Sequence, residues 1–202
     1  MPGLFTIGHS THSWERLLEL LCLHGIEAVA DVRSSPYSAR LPQFNRDLLD
    51  RALTEANLRY VFLGDELGAR RSEPECYVSG VARYDLIART KAFQAGLDRV
   101  RAGSRRFRLA LLCAEKDPLE CHRAILVCRQ LRSELEIRHI LEDGSAETHQ
   151  ESEIRLLAEE RVPTEDFFDT HEVLIARAYD RRAEKIAYQE RAEPVGHSQP
   201  HA

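Results

Sequence analysis

Five short apolar runs recur along the chain, at 4–7 (LFTI), 26–32 (IEAVADV), 59–63 (RYVFL), 106–113 (RFRLALLC) and 136–141 (EIRHIL). Between them lie stretches whose apolar residues recur at helical spacing. Strands that alternate with amphipathic helices admit few folds, because parallel strands need crossover connections and the crossover helices cover both faces of the sheet. Ser13 is placed to cap a helix carrying Trp14, Leu17, Leu18 and Leu21, with Gly25 to stop it. Asn45 is expected to cap a second helix, bearing Leu48, Leu49, Ala52, Leu53 and Ala56. Thr90 is expected to cap a third, with Phe93, Leu97 and Val100 on one face and Gly103 at its end. A fourth is expected from Leu119 to Leu131, and 151–160 and 171–189 read as a helical C-terminal extension. Segment 33–44, with Pro36 and Pro42, must be a loop. Segment 64–80, with Gly64, Gly68, Pro74 and Gly80, is a connection long enough to be functional or mobile. The expectation is α/β: a single three-layer domain over 1–189 with a mainly parallel sheet, followed by a disordered tail over 190–202.

A chain of 202 residues fits one such domain, and 43% hydrophobic with 30% charged residues is ordinary globular composition. The formal net charge of -5 argues against general affinity for nucleic acid but leaves room for a local basic patch. Only three of the 28 basic residues are lysine, a skew that reflects genome composition more often than function. No basic leader precedes an apolar core at the N-terminus, and no apolar run approaches a membrane span, so no membrane partner is expected. The expected compartment is cytoplasmic, where thiols stay reduced. The five cysteines therefore read as core residues, nucleophiles or ligands, not as a disulfide framework.

A parallel sheet binds its ligands beyond the carboxyl ends of its strands. Just after the strands come His9, Ser10 and Thr11, then Asp31, Arg33 and Ser34, then Gly64, Asp65 and Glu66, then Cys113 and Glu115. The stretch LLCAEKDPLECHR, 111–123, reads as a strand end followed by a helix start: Asp117 as cap, Pro118 first, Glu120 third. Cys121, His122 and Arg123 would close the first turn, where the helix dipole and a nearby cation favour a thiolate. Cys113 would approach Cys121 across the turn. Against this stands the frequency of buried cysteine, which is how Cys22 and Cys128 read, while Cys76 reads as incidental. Cys113, Cys121 and His122 also suggest a metal, but their spacing matches no zinc signature and shows no clear fourth ligand, so neither metal nor cofactor is expected.

Asp31 and Arg33 read equally as an anion contact or as a strand-end ion pair. His9 and Ser10 read as ligand contacts or as a polar turn into the first helix. Arg40, Arg46, Arg70 and Arg71 face a phosphate-bearing partner or form solvated surface. His149, His171, His197 and His201 read as tail or surface residues. Phosphate-loop and nucleophile-elbow motifs are absent.

Taken together, FTIGHST, DVRSSPYSARLPQFN, LGDELG, LLCAEKDPLECHR and EKIAYQ resemble the bacterial and archaeal family catalogued as domain of unknown function 488. The resemblance is collinear from about residue 4 to about residue 189. It implies a Rossmann-like or flavodoxin-like fold, and its motifs fall on Gly8, His9 and Ser10, on Asp31, Arg33 and Pro36, and on Cys113, Glu115, Cys121, His122 and Arg123. Where the family pattern has a glycine pair after the third strand, this chain has Gly64-Asp65.

Three functional readings stay open. The first is a cysteine-dependent hydrolase or transferase acting on a small anionic or nucleotide-like substrate. There Cys121 or Cys113 attacks, His122 or Glu115 moves protons, and Arg33 and Arg123, with His9, Ser10 and Asp31, hold the substrate. On this reading Arg33→Ala abolishes anion binding with little loss of stability. The second is a nucleic-acid-associated protein using the same rim. The third is a nonenzymatic ligand or redox sensor. The oligomeric state is not legible.

Overall fold

The computed structural model describes residues 3–190. The chain runs β1 (Gly3–Gly8), α1 (Trp14–Leu23), β2 (Ala28–Asp31), α2 (Arg46–Glu55), β3 (Arg59–Phe62) and a single turn α3 (Gly64–Leu67). A two-strand hairpin, β4 (Tyr77–Val78) and β5 (Val81–Ala82), and α4 (Tyr84–Ile87) lead to α5 (Lys91–Ser104) and β6 (Arg108–Cys113). After β6 come α6 (Arg129–Leu131), β7 (Ile137–Ile140), β8 (Ala146–Thr148), α7 (His149–Glu159) and α8 (His171–Ile186). Six strands form one sheet in the order β3-β2-β6-β1-β7-β8, parallel throughout except that β8 runs antiparallel to β7.

Alternation along the strands sends side chains to two cores. Leu4, Ala28, Ala30, Leu109, Leu111 and Ile137 face a core shared with Phe93, Leu97 and Val100 of α5, Leu156 of α7, and Leu174 and Ile175 of α8. Phe5, Ile7, Val29, Ala110, Leu112 and Ile140 face the other, with Leu17, Leu20 and Leu21 of α1 and Leu49 and Leu53 of α2. The result is the expected three-layer α/β domain. Among the described residues no helix is long and apolar enough to cross a membrane.

Local chemistry fixes the helix starts. Ser13 Oγ accepts from the Arg16 amide at 3.2 Å, and Thr90 Oγ1 from the Phe93 amide at 3.2 Å. Asn45 stands before α2 but does not cap it: its Oδ1 accepts from the Ser38 amide at 2.7 Å and folds the preceding loop instead. The helix expected over 119–131 is broken. Asp117 Oδ1 accepts from the Leu119 amide at 2.8 Å and closes a 3-10 turn over Pro118–Glu120, after which Cys121 is extended (φ -137, ψ 138). A π-helical stretch, Arg123–Cys128, follows and runs into α6. Cys121 thus stands at a break, not inside a first helical turn. The long 64–80 connection holds α3 and β4, and α8 stops at Ile186 because Ala187 turns extended (ψ 140). Gln189 then bridges to Val81. The tail expected from 190 lies, apart from Glu190, outside the described residues, as do His197 and His201.

His149, expected at the surface, is buried in a polar chain that crosses the core. Arg123 Nε donates to Thr6 Oγ1 (3.3 Å), Thr6 to His139 Nδ1 (2.8 Å), and His139 Nε2 to His149 Nδ1 (2.9 Å). His149 Nε2 donates to the Tyr179 hydroxyl (2.8 Å), which donates to Glu153 Oε1 (3.0 Å). Arginine only donates and a carboxylate only accepts, so both ends fix the direction and leave each imidazole one proton. Burial holds His149 near a pKa of about 4, and burial with the neighbouring His149 holds His139 well below its ordinary value.

Candidate active site

The parallel register aligns Gly8 with Cys113 and Asp31 with Leu112, so β1, β2 and β6 end on one edge. Beyond that edge the chain after Cys113 crosses directly over Gly8. A Cβ there would stand 1.8 Å from the Glu115 carbonyl oxygen, so no other residue lets the crossing form. The His9 amide donates to the Cys113 carbonyl and the Ser10 amide to the Ala114 carbonyl, both at 2.9 Å. From beneath, Arg123 Nη1 and Nη2 donate to the Glu115 and Lys116 carbonyls at 2.6 and 2.9 Å.

This clamp sets four reactive groups together. Glu115 Oε2 lies 2.9 Å from Cys113 Sγ and 3.0 Å from Cys121 Sγ. His122 Nε2 donates to the Val32 carbonyl at 2.9 Å, which leaves Nδ1 facing Cys113 Sγ at 3.6 Å and Cys121 Sγ at 3.9 Å. The four donor atoms lie within 4.8 Å of one another. Burial alone would raise the Cys121 thiol. The Cys113 S–H, Arg123 and His122 together hold it well below the ordinary thiol range. Cys113 moves the opposite way, pushed well up by burial and by the sulfur of Cys121. Burial and the same sulfur raise Glu115. Burial would lower His122, but Cys121 and Glu115 raise it on balance. Of the two sulfurs, Cys121 is thus the one whose surroundings favour the thiolate. Glu115 supplies the fourth donor that the sequence spacing did not reveal, and the set has the number and type of donors of a tetrahedral zinc site.

Behind the cluster stands a rigid wall. Arg33 Nε and Nη2 grip Asp31 Oδ1 and Oδ2 at 2.8 and 2.6 Å, and the Tyr60 hydroxyl donates to Oδ2 at 2.9 Å. Arg33 Nη1 donates to His9 Nε2 at 3.2 Å, so His9 Nδ1 carries the proton and gives it to the Ser10 carbonyl at 2.9 Å. The His9 ring stacks on Phe44 with centroids 4.4 Å apart, and burial lowers its pKa to about 4. Ser10 takes a left-handed turn (φ 47).

The cluster opens onto a pocket of about 640 Å³. Cys113, Glu115 and His122 form one side of it, Arg33, Ser34 and Ser35 another, and the segment after α8 closes a third. Cys121 is not among its lining residues, so Cys113 is the sulfur that faces the opening. At the rim the Arg70 guanidinium lies 4.7 Å above the Tyr188 ring, and among the described residues no carboxylate pairs with it.

The structure thus brings Cys113, Glu115, Cys121 and His122 into one cluster and puts His9, Asp31 and Arg33 directly behind it. Arg123, expected to hold substrate, is fully buried, with its guanidinium turned to Thr6 and the loop carbonyls. Arg70, read from the sequence as a phosphate contact or as solvated surface, stands at the pocket rim. Thr6, Tyr60 and Phe44, which lie in or near apolar runs, went unrecognised as parts of the site. Gly64 packs on the Arg33 carbonyl, where a Cβ would stand 2.1 Å away, while the neighbouring Asp65 is exposed. Cys76 and Cys128 are core residues, but Cys22, expected in the core, is exposed on the outer face of α1.

A family model described as domain of unknown function DUF488 matches residues 13–129. That span, narrower than the motifs suggested, holds Asp31, Arg33 and the whole Cys113–Arg123 segment, whereas His9 and Ser10 precede it. No curated protein and no solved structure matches the chain.

Proposed function

The chain belongs to the DUF488 family, whose description assigns no activity, and we propose from the site's geometry that it is an enzyme with a thiol-containing centre acting on a small anionic or nucleotide-like substrate. One observation carries the reading: two sulfurs, a carboxylate and an imidazole converge within contact distance at the side of an open pocket, on the carboxyl edge of a parallel sheet. Core cysteines need neither His122 nor Glu115 beside them. The groups suit a hydrolase or transferase, with Cys113 toward the substrate and Cys121, Glu115 and His122 handling protons around it. Among the described residues that line the pocket, Arg70 is the cation with no carboxylate partner, since Arg33 is engaged by Asp31 and His9 and Lys185 by Glu160. The hydroxyl-bearing Ser34 and Ser35 lie on the same side of the pocket.

Phosphate, sulfate or a mononucleotide should raise the melting temperature. At a ligand concentration a hundred times its dissociation constant the gain is about 2.7 kcal/mol, or about 5–11 °C for a domain of this size. Arg70→Ala should remove that rise and leave the ligand-free melting temperature within about 1–2 °C, because an exposed side chain contributes little to stability. An unchanged rise in the variant, or no rise with any anion, defeats the reading. Salt-sensitive binding of long strands without a mononucleotide effect would favour a nucleic-acid partner instead.

A further inference from the structure

The donor set points to a bound ion, and we infer that Cys113, Glu115, Cys121 and His122 together hold one zinc ion. The inference rests on the reading of this cluster as the functional centre and revises the roles inside it, since side chains that hold a metal do not also act as free nucleophile and base. Zinc with bonds of about 2.0–2.3 Å in a tetrahedron keeps neighbouring donors roughly 3.3–3.8 Å apart. The imidazole Nδ1 stands 3.6 and 3.9 Å from the two sulfurs, close to that spacing. The Glu115 carboxylate, at 2.9 and 3.0 Å, is closer and sits on a flexible side chain that can withdraw by the difference.

The surroundings are those of an oriented ligand shell. His122 is fixed through its other nitrogen by the Val32 carbonyl, which presents Nδ1 to the sulfurs. The Arg123 amide donates to Cys121 Sγ at 3.4 Å, and the Arg123 guanidinium fixes the backbone that carries Glu115. On binding, Zn²⁺ takes both sulfurs as thiolates, and whatever protons the pair still holds leave to solvent. Two thiolates, one carboxylate and a neutral imidazole around Zn²⁺ leave one negative charge, and the buried Arg123 guanidinium beside it neutralises that charge. Two sulfurs and an imidazole exclude the hard cations calcium and magnesium as the preferred guest. Of the four ligands only Glu115 is exposed, so it is the one placed to yield its position to a substrate anion.

The test uses the full chain loaded with zinc and dialysed. The expected result is one zinc per chain. Cobalt substitution should give the visible bands of a tetrahedral thiolate site. Cys121→Ser should weaken binding by more than the about 10–100-fold that follows loss of an outer-shell partner. Because that variant risks misfolding, the wild-type protein provides a second readout. Limiting iodoacetamide should label Cys113 after treatment with EDTA but not in the zinc-loaded protein, while the exposed Cys22 labels equally in both. No retained zinc, together with Cys113 labelling that EDTA does not change, overturns the inference. The anion-dependent melting shift, measured with and without zinc, separates the two readings. Zinc bound with no anion effect upholds the metal and removes the anionic substrate, and an anion effect without zinc does the reverse.

Discussion

Lowering the pH from 7 to 5 is expected to remove about 4 kcal/mol of stability through His9 and His149, a large share of the whole margin of many domains. His9 and His149 have folded pKa values of about 4, and His139 is held well below its ordinary value, each chiefly by burial. Their unfolded value is 6.5. A histidine with a depressed folded pKa is neutral in both states above its unfolded value, so its contribution is complete there. Below that value the unfolded chain takes up a proton that the folded chain refuses, and stability falls until the folded pKa is reached. His9 and His149 each lose about 2 kcal/mol by pH 5, and His139 adds to the loss in the same direction. His122, Glu115 and Glu153 shift upward and offset part of the loss. Protonation is also barred structurally, because each of the three rings already uses its second nitrogen as an acceptor: His9 from Arg33, His139 from Thr6 and His149 from His139. Urea unfolding measured at half-unit pH intervals should show this as a steep fall below pH 6.5. A flat profile between pH 7 and 5 would mean that these rings carry no such penalty.

The second large effect belongs to Asp31 and Arg33. Arg33→Ala is expected to cost about 3–5 kcal/mol, or about 6–20 °C in melting temperature. Asp31 is fully buried and Arg33 nearly so. Without the guanidinium, the carboxylate keeps only the Tyr60 hydroxyl and the Arg33 amide as donors, and His9 loses the proton that fixes its tautomer. The stability-neutral Arg33→Ala expected from sequence is therefore corrected, and Arg70 replaces Arg33 as the position at which to test anion binding. Asp31→Asn should destabilise comparably by leaving the guanidinium unpaired, whereas Asp31→Leu with Arg33→Met should recover much of the loss. Chemical denaturation of the three proteins checks this, and a near-neutral Arg33→Ala would show that the pair contributes little.

The sheet was legible because its signals are local. Apolar runs of strand length, the caps at Ser13 and Thr90 and the stop at Gly25 act within a few residues of themselves, and the structure reproduces them. Features set by distant partners were not legible. The break at Cys121 depends on Asp117, whose carboxylate both closes the turn and binds Arg155 of α7 at 2.9 and 3.0 Å. The three-residue β8 forms by pairing with β7 and carries too short a pattern to read. Charge on Arg33 and Arg123 was visible, but its direction was not. Both guanidiniums are spent on the protein, one on Asp31 and His9, the other on the crossing over Gly8. Cys22 shows the same limit, since one position of helical rotation separates it from the buried Leu21.

The most direct measurement of the site's role is an amide chemical-shift map of the isotopically labelled protein titrated with phosphate and with a mononucleotide. Saturable shifts confined to the amides of Ser34, Ser35, Arg70, Ala114 and Glu115, and lost in Arg70→Ala, are the expected result. The molecule supplies its own control, a second cavity at the opposite end of the sheet, lined by Phe5, His24, Arg108 and Arg138. Shifts gathered at that cavity, or scattered over the surface without saturation, would contradict an anion site at the Cys113–His122 edge.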